Sequence, residues 1–281
     1  MEPATLTGFR TELTDPGILT ITFDNPERLN ASTAPMKRDL VETLTQAQMD
    51  DGVRVVVFTG AGEAFWAGDD LSESRPDRSN AVVPPIFGGH HSPTGTYNGL
   101  RVISQAVNTA VRNLDKVTIA AINGFAIQTG FSLALSCDFR VAARSARMGS
   151  ATLRFGLLPD EGGHHLLVQH LGLAGARAFL LRPRIVDAEE ADRLGLVTEV
   201  GDDDRLLDTA LDLAREMAEG PQMAIRMLKR SIYLAAEQTW AHALEDIAAR
   251  TAVTDHLSDA REGVRAFAEK RRAVFNAELE G

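Results

Sequence analysis

The sequence predicts an α/β protein, and three observations carry that prediction. Short apolar or alternating runs, bounded by Pro-Gly, Asn-Gly and similar turn signals, recur as far as Ala143. Stretches with apolar residues at helical spacing lie between them. Past a change near Leu196 to Gly201 the pattern is helical to Glu278, with no second strand-rich unit. The chain is therefore read as a sheet-containing core over residues 1–200 and a helical C-terminal region over residues 201–281.

Taken in order, Phe9 to Leu13 and Ile18 to Phe23 alternate about a Thr14-Asp15-Pro16-Gly17 turn and read as a hairpin. A polar loop, DNPERLNAS, leads to a helix from about Met36 to Met49 with Leu40, Leu44 and Ala47 on one face. Val53 to Gly60 is almost continuously apolar, which suits a strand covered on both faces. The following TGAGEAF resembles the start of a dinucleotide fingerprint, but Phe65 stands where the third glycine belongs and no helical pattern opens there. Phe65 to Leu71, FWAGDDL, reads instead as a glycine-bearing loop at a strand end. Ser72 to Gly95 has little periodicity and holds Pro84-Pro85, Gly88-Gly89 and His90-His91, as expected of a lid or an insertion.

A helical pattern returns from about Tyr97 to Asp115, and Lys116 to Ile122 is a strand. Phe139 to Ala143 is another short strand, and RMGSATLRFGLLPDEGG leads into an apolar helix, HHLLVQHLG. Beyond it, Asp187 is an N-cap candidate with Glu190 three residues on, and Pro221 sits at a plausible first helical position.

Composition narrows the function. A formal charge of −10 leaves no basic stripe for nucleic acid, although local basic groups remain available to a phosphorylated small molecule. The single Cys137 lies in an apolar run and reads as a small buried side chain. No apolar run approaches the ~20 residues of a membrane helix, and no signal sequence precedes the first strands, so the expected location is cytoplasmic.

The chain is organised around Ala120 to Asp138, AAINGFAIQTGFSLALSCD. An apolar strand breaks at Asn123-Gly124, and Thr129-Gly130 opens an apolar helix. A glycine-bearing turn at a helix start can bring a backbone N–H close to an oxyanion. Nucleophilic catalysis finds no G-x-S-x-G elbow to support it. His90-His91 and His164-His165 are adjacent rather than one helical turn apart, so no metal site is expected. Asp160 and Glu161 are delivered by Leu157-Leu158-Pro159 to a helix start, where they are either N-terminal caps or working acids.

Six segments together carry a family resemblance: ITFDNPERLNA, VVVFTGAGEAFWAGDDL, the central AAINGFAIQTGFSLALSCD, RFGLLPDEGG, the Ala188 to Val197 segment and the final FAEKRRAVF. Over nearly its full length the chain resembles the crotonase superfamily, the enoyl-CoA hydratase/isomerase family. The resemblance implies a spiral of ββα units, C-terminal helices that build a homotrimer or a dimer of trimers, and an acyl-CoA substrate with no tightly bound cofactor. It implies an oxyanion hole for a thioester enolate made by the backbone N–H groups of Asp69 and Thr129. It also places Glu27, Arg28, Leu29, Ala67, Phe267 and Lys270 at the coenzyme A site, with Phe267 near adenine and Lys270 on a phosphate.

The hydratase pattern of the family is broken at two points. Where it has glutamates, this chain has Ser132 and Thr152, neither an effective acid or base near neutral pH. LLPDEGG resembles isomerase members that work with one carboxylate, so the expected reaction is double-bond isomerisation of an unsaturated acyl-CoA, with Asp160 as base and acid and Glu161 as the alternate. Hydrolysis, decarboxylation or hydration with another proton carrier, and acyl-CoA binding without catalysis, are the alternatives.

Overall fold

The computed structural model describes residues 6–70 and 92–277. β1 (Phe9–Thr14) and β2 (Ile18–Phe23) form the expected antiparallel hairpin, with Phe9 opposite Phe23 and Thr14 opposite Ile18. α1 (Ala34–Met49) starts where the Thr33 hydroxyl accepts from Met36 N, a side-chain N-cap. It buries Met36, Leu40, Leu44 and Ala47 against the core.

The architecture then repeats one step. β3 (Val55–Gly60), β5 (Val117–Ile122) and β7 (Phe139–Ala143) are parallel neighbours in a six-stranded sheet, β1-β2-β3-β5-β7-β10, whose last strand is β10 (Glu199–Gly201). Each is followed by a shorter strand: β4 (Ala64–Trp66), β6 (Phe125–Ile127) and β8 (Arg147–Ser150). These three join β9 (Arg184–Asp187) in a four-stranded sheet, β4-β6-β8-β9. A helix closes each turn: Pro93–Gly99 (α2) leading to Gln105–Asn113 (α3), then Thr129–Ser136 (α4), then Gly163–Leu180 (α5). The chain thus climbs as a spiral of ββα units.

Close stacking of successive turns depends on glycine. A Cβ on Gly124 would strike the Glu63 carbonyl, and one on Gly130 would strike the Trp66 carbonyl. The turn singled out in the sequence therefore does permit a close backbone approach, and what it approaches is the preceding turn of the spiral.

The strands missed by the sequence reading are β4, which falls where a loop is expected from Phe65, and β6, β8, β9 and β10. They are three or four residues long, too short for a period-2 pattern, and they exist through ladder partners rather than propensity. β8 and β9 pair antiparallel, and β10 adds parallel to β7, so strands continue past Ala143. The helix expected from Tyr97 begins at Pro93, because Ser92 accepts from Gly95 N and caps it. Asp187 caps α6 (Ala188–Arg193) by accepting from Glu190 N at 2.9 Å, as its spacing predicts. Pro221 is the N-cap residue of α8 rather than its first residue.

After β10 only helices follow: α7 (Leu206–Glu219), α8 (Gln222–Ala235), α9 (Trp240–Thr254) and α10 (Ser258–Glu269). α7 packs on β3, β5 and β7, whereas α9 buries no residue. Among the described residues no helix is long and apolar enough to cross a membrane.

Candidate active site

Three chain segments meet at the N-terminal end of α4. The first is the loop after β4. Gly68 turns it with a φ of +98°, and the buried Trp66 donates its indole N–H to Gly68 O at 3.1 Å. The 25–30 loop is stitched onto this segment: Ala67 N donates to Leu29 O, and Asn30 Nδ2 donates to Ala61 O and, at 2.7 Å, to Ala64 O. Ser32 forms a bridge to Asp69, with Ser32 N donating to Gly68 O and Asp70 N to Ser32 O. Glu27, Arg28, Leu29 and Ala67 therefore lie together with Asp69 on one rim, where the Arg28 guanidinium is 3.7 Å from the Asp70 carboxylate.

The second segment is the start of α4. Gln128 precedes it with φ +50° and ψ −102°, a conformation that costs a non-glycine residue about 1–3 kcal/mol. Four hydrogen bonds oppose that cost. Gln128 N donates to Gly149 O, its Nε2 to Glu161 Oε2 at 3.1 Å and to Asp160 Oδ1 at 3.4 Å, and its Oε1 accepts from Ser150 Oγ at 2.5 Å. Thr129 is the first residue of the helix, so its N–H belongs to the first turn, where no intrahelical acceptor exists and partial positive charge accumulates.

The third segment is the loop before α5, held by α3. Gln105 Nε2 donates to Asp160 O at 3.0 Å, and Asn108 Nδ2 donates to Glu161 O. These backbone anchors turn the Glu161 side chain inward, where 3% of the residue is exposed. Its Oε1 accepts from Thr129 Oγ1 at 2.5 Å and lies 3.9 Å from the Lys37 ammonium. Burial pushes the Glu161 carboxyl up to about 8; neighbouring Asp160 adds to this, while Lys37 and the Thr129 hydroxyl oppose it. Asp160 is only half-buried, and its Oδ1 accepts from Gln128 Nε2 at 3.4 Å.

Of the residues expected at the site, Asp69, Thr129, Asp160 and Glu161 converge, and Glu27, Arg28, Leu29 and Ala67 adjoin them. Among the described residues, no hydrogen bond or ion pair joins Phe267 or Lys270 to them. Phe267 is 87% exposed on α10, and Lys270 ends that helix in the left-handed conformation. The segment is fastened to the corner between α7 and α8, where Asn276 Oδ1 accepts from Gln222 N. His90 and His91 lie outside the described residues, as does most of the 72–95 loop. Ser132 is buried in α4, and Thr152 contacts Ser150 at 3.1 Å.

The sequence reading missed Lys37, Gln128, Ser150 and Asn108. Lys37 had a signal: it shares the stripe of Leu40, Leu44 and Ala47, and a lysine on the apolar face of a helix is unusual. Gln128 had one too, since Gln128-Thr129-Gly130 stands where the resembled family has three glycines, whereas Ser150 and Asn108 had none, because their partners come from different turns of the spiral.

Three comparisons bear on this geometry. The enoyl-CoA hydratase/isomerase family model matches residues 14–278. The chain is 36% identical over 263 residues to the 1,2-epoxyphenylacetyl-CoA isomerase of Escherichia coli, covering 92% of this chain and 95% of that one. It is 28% identical over 256 residues to a short-chain-enoyl-CoA hydratase of Clostridium acetobutylicum, covering 91% and 92%. Among solved structures, an enoyl-CoA hydratase from Bacillus anthracis superposes with a TM-score of 0.85 at 28% identity, over 95% of this chain and 98% of that one.

Proposed function

We propose that this chain, which belongs to the enoyl-CoA hydratase/isomerase family, isomerises the double bond of an unsaturated acyl-CoA with Glu161 as its single proton carrier. The observation that carries this reading is the placement of Glu161. It is a buried carboxyl, bonded to the hydroxyl of the residue that opens α4, and burial pushes it up to about 8, so both protonation states are within reach. A carrier poised there can both accept and return a proton, which two-way transfer requires.

The backbone N–H groups of Asp69 and Thr129 receive the thioester oxygen. Glu161 as carboxylate removes a proton from one carbon of the acyl chain, and the electron pair spreads into a dienolate whose oxygen is held by the two donors. The carboxyl then returns the proton to the other end of the conjugated system, leaving the thioester intact and Glu161 ionised. No water enters the balance, in keeping with Ser132 and Thr152 at the two points where hydratases of the family carry acids. The relative named 1,2-epoxyphenylacetyl-CoA isomerase supports isomerisation of an acyl-CoA, there of an epoxide rather than a double bond. Asp160 is the secondary carboxylate, placed outside the buried pair.

Coenzyme A lies along Glu27, Arg28, Leu29 and Ala67, and Phe267 and Lys270 reach it from a neighbouring subunit of a homotrimer or a dimer of trimers.

The test is incubation of the protein in D2O with a panel of enoyl-CoAs that includes vinylacetyl-CoA, followed by mass spectrometry. Isomerisation with deuterium at the α- or γ-carbon is expected. Glu161→Gln should lower the exchange rate by about 10²–10⁴-fold, while Asp160→Asn keeps most of it. Free CoA, CO2 or a hydroxyacyl-CoA as the main product would overturn isomerisation, and full exchange by Glu161→Gln would remove the role from Glu161.

A further inference from the structure

Lys37 is the cation that the site does not explain. Its side chain, on the core-facing stripe of α1, is 3% exposed. Its ammonium lies 2.8 Å from Asp69 Oδ1, 3.1 Å from Ser104 Oγ and 3.9 Å from Glu161 Oε1. An apolar residue would suit that stripe, and burying an ammonium is costly unless its partners need it. The partners here are the two acids that belong to opposite walls of the site. Ser104 closes a single π-helical turn, Leu100–Ser104, between α2 and α3, a distortion that recurs at functional positions.

We propose that Lys37 is a positioning residue of the proton-transfer site, its ammonium shared between Asp69 and Glu161 so that it ties the first oxyanion donor to the proton carrier and keeps that carrier able to ionise. This inference rests on the reading of Glu161 as the carrier. The tie is continuous: Ser32 Oγ donates to Asp69 Oδ1 at 2.7 Å, Lys37 joins Asp69 to Glu161, and Thr129 donates to Glu161. It therefore links the loop of one oxyanion donor to the helix of the other. With its nearer contact given to Asp69, the lysine only partly neutralises Glu161. Moving the ammonium closer would lock Glu161 as a carboxylate, and removing it would lock the acid form.

The charged groups that face Glu161 among the described residues are few. Lys37 comes from α1, Asp69 stands behind it, and Asp160 adjoins Glu161 in its own loop. From α3 and the start of α4 come only the uncharged Gln105, Asn108, Gln128 and Thr129. Burial raises the carboxyl, and Lys37 is the charge that opposes it. Two substitutions must then act in opposite directions. Lys37→Met removes the opposing cation, so Glu161 should hold its proton to higher pH. Asp69→Asn removes the competing anion, so Glu161 should release its proton at lower pH.

The test is infrared titration of the full-length chain, isolating the Glu161 carboxyl as the difference between each protein and the same protein carrying Glu161→Gln. Lys37→Met should raise the midpoint by about 1–3 pH units, the range for a charge at this distance. Asp69→Asn should lower it by a smaller step, and Lys37→Arg should restore part of the wild-type value. A purely structural lysine would lower activity or stability without moving the midpoint in either variant, and an unmoved midpoint overturns the inference. Should Lys37→Met fail to fold, the downward shift in Asp69→Asn decides the question alone. Deuterium exchange from vinylacetyl-CoA separates the two ideas. Retained exchange in Glu161→Gln defeats the carrier reading whatever the titration shows, whereas lost exchange with an unmoved midpoint defeats only the role of Lys37.

Discussion

Two carboxylate–lysine pairs, each with a buried lysine, flank the same helix and differ in how completely the acid is satisfied. Beyond the C-terminal end of α4, Asp138 Oδ2 accepts from Lys229 Nζ at 2.7 Å and from Thr118 N at 2.7 Å, and Oδ1 accepts from the Tyr233 hydroxyl at 2.8 Å. At the N-terminal end, Glu161 has its lysine at 3.9 Å, drawn toward Asp69. The groups around Asp138 are held inert: burial pushes the Cys137 thiol up to about 12, with Asp138 adding, and burial and Asp138 drive the Tyr233 hydroxyl up as well. One pair fastens α8 to the sheet. The other is left short of neutralisation, which is what a proton carrier requires. A buried lysine beside an acid is thus no signature of either role; distance and competition decide.

The largest effects expected from breaking this contrast are opposite in kind. Glu161→Gln should cost about 10²–10⁴-fold in exchange with little change in urea stability. Asp138→Asn should cost about 3–5 kcal/mol in urea unfolding, because it strands the Lys229 ammonium, while the folded fraction keeps its exchange rate. If Asp138→Asn lowers exchange in folded protein while stability holds, the two ends of α4 are not separate in function.

Between them lies the helix itself. Gly130→Ala would set a methyl against the Trp66 carbonyl, so α4 must move off β4 and carry Thr129 with it. A displacement of about 1 Å at a reacting centre can cost about 10²-fold, so exchange should fall toward that value. Stability should fall less than in Asp138→Asn, since the Asp138 network lies beyond the far end of the helix. An unchanged exchange rate would show that the Thr129 N–H need not sit where the glycine contact places it.

Much of this contrast was legible in the sequence at the level of segments and not of pairs. The hairpin, α1, β3, β5, β7 and the start of α4 followed from apolar period and turn residues, because each is specified within its own stretch. Asp69, Thr129, Asp160 and Glu161 were named from motifs, and the fold brings them together. The sequence puts Asp160 ahead of Glu161 as the working acid, and the proposed function reverses that order. Adjacent residues share every local feature, and only the α3 anchors, Gln105 on Asp160 O and Asn108 on Glu161 O, turn one inward. Lys37 was passed over because its helix was read for its leucines, although the same stripe contains it. Phe267 and Lys270 belong to a segment tied to the α7–α8 corner by a contact 54 residues apart in sequence, between Asn276 and Gln222.

The smallest expected effect tests the electrostatics without substrate. Glu161 sits above its ordinary value of 4.5, at about 8, so the folded protein binds a proton that the unfolded chain has lost over that window. Its contribution to stability is full below pH 4.5 and is drawn down as pH rises toward 8. Wild-type stability should therefore fall between pH 6 and pH 8 by on the order of 1 kcal/mol more than that of Glu161→Gln, read from paired urea melts. His170 and Lys116, both lowered by burial, titrate in both proteins and cancel in the comparison. Asp51, Asp246 and Glu262, all held low by arginine partners, respond only in acid and stay silent in this range. Equal slopes in the two proteins would mean that Glu161 is already ionised at neutral pH. Lys37 would then neutralise it as fully as Lys229 does Asp138, and the contrast between the two pairs would disappear.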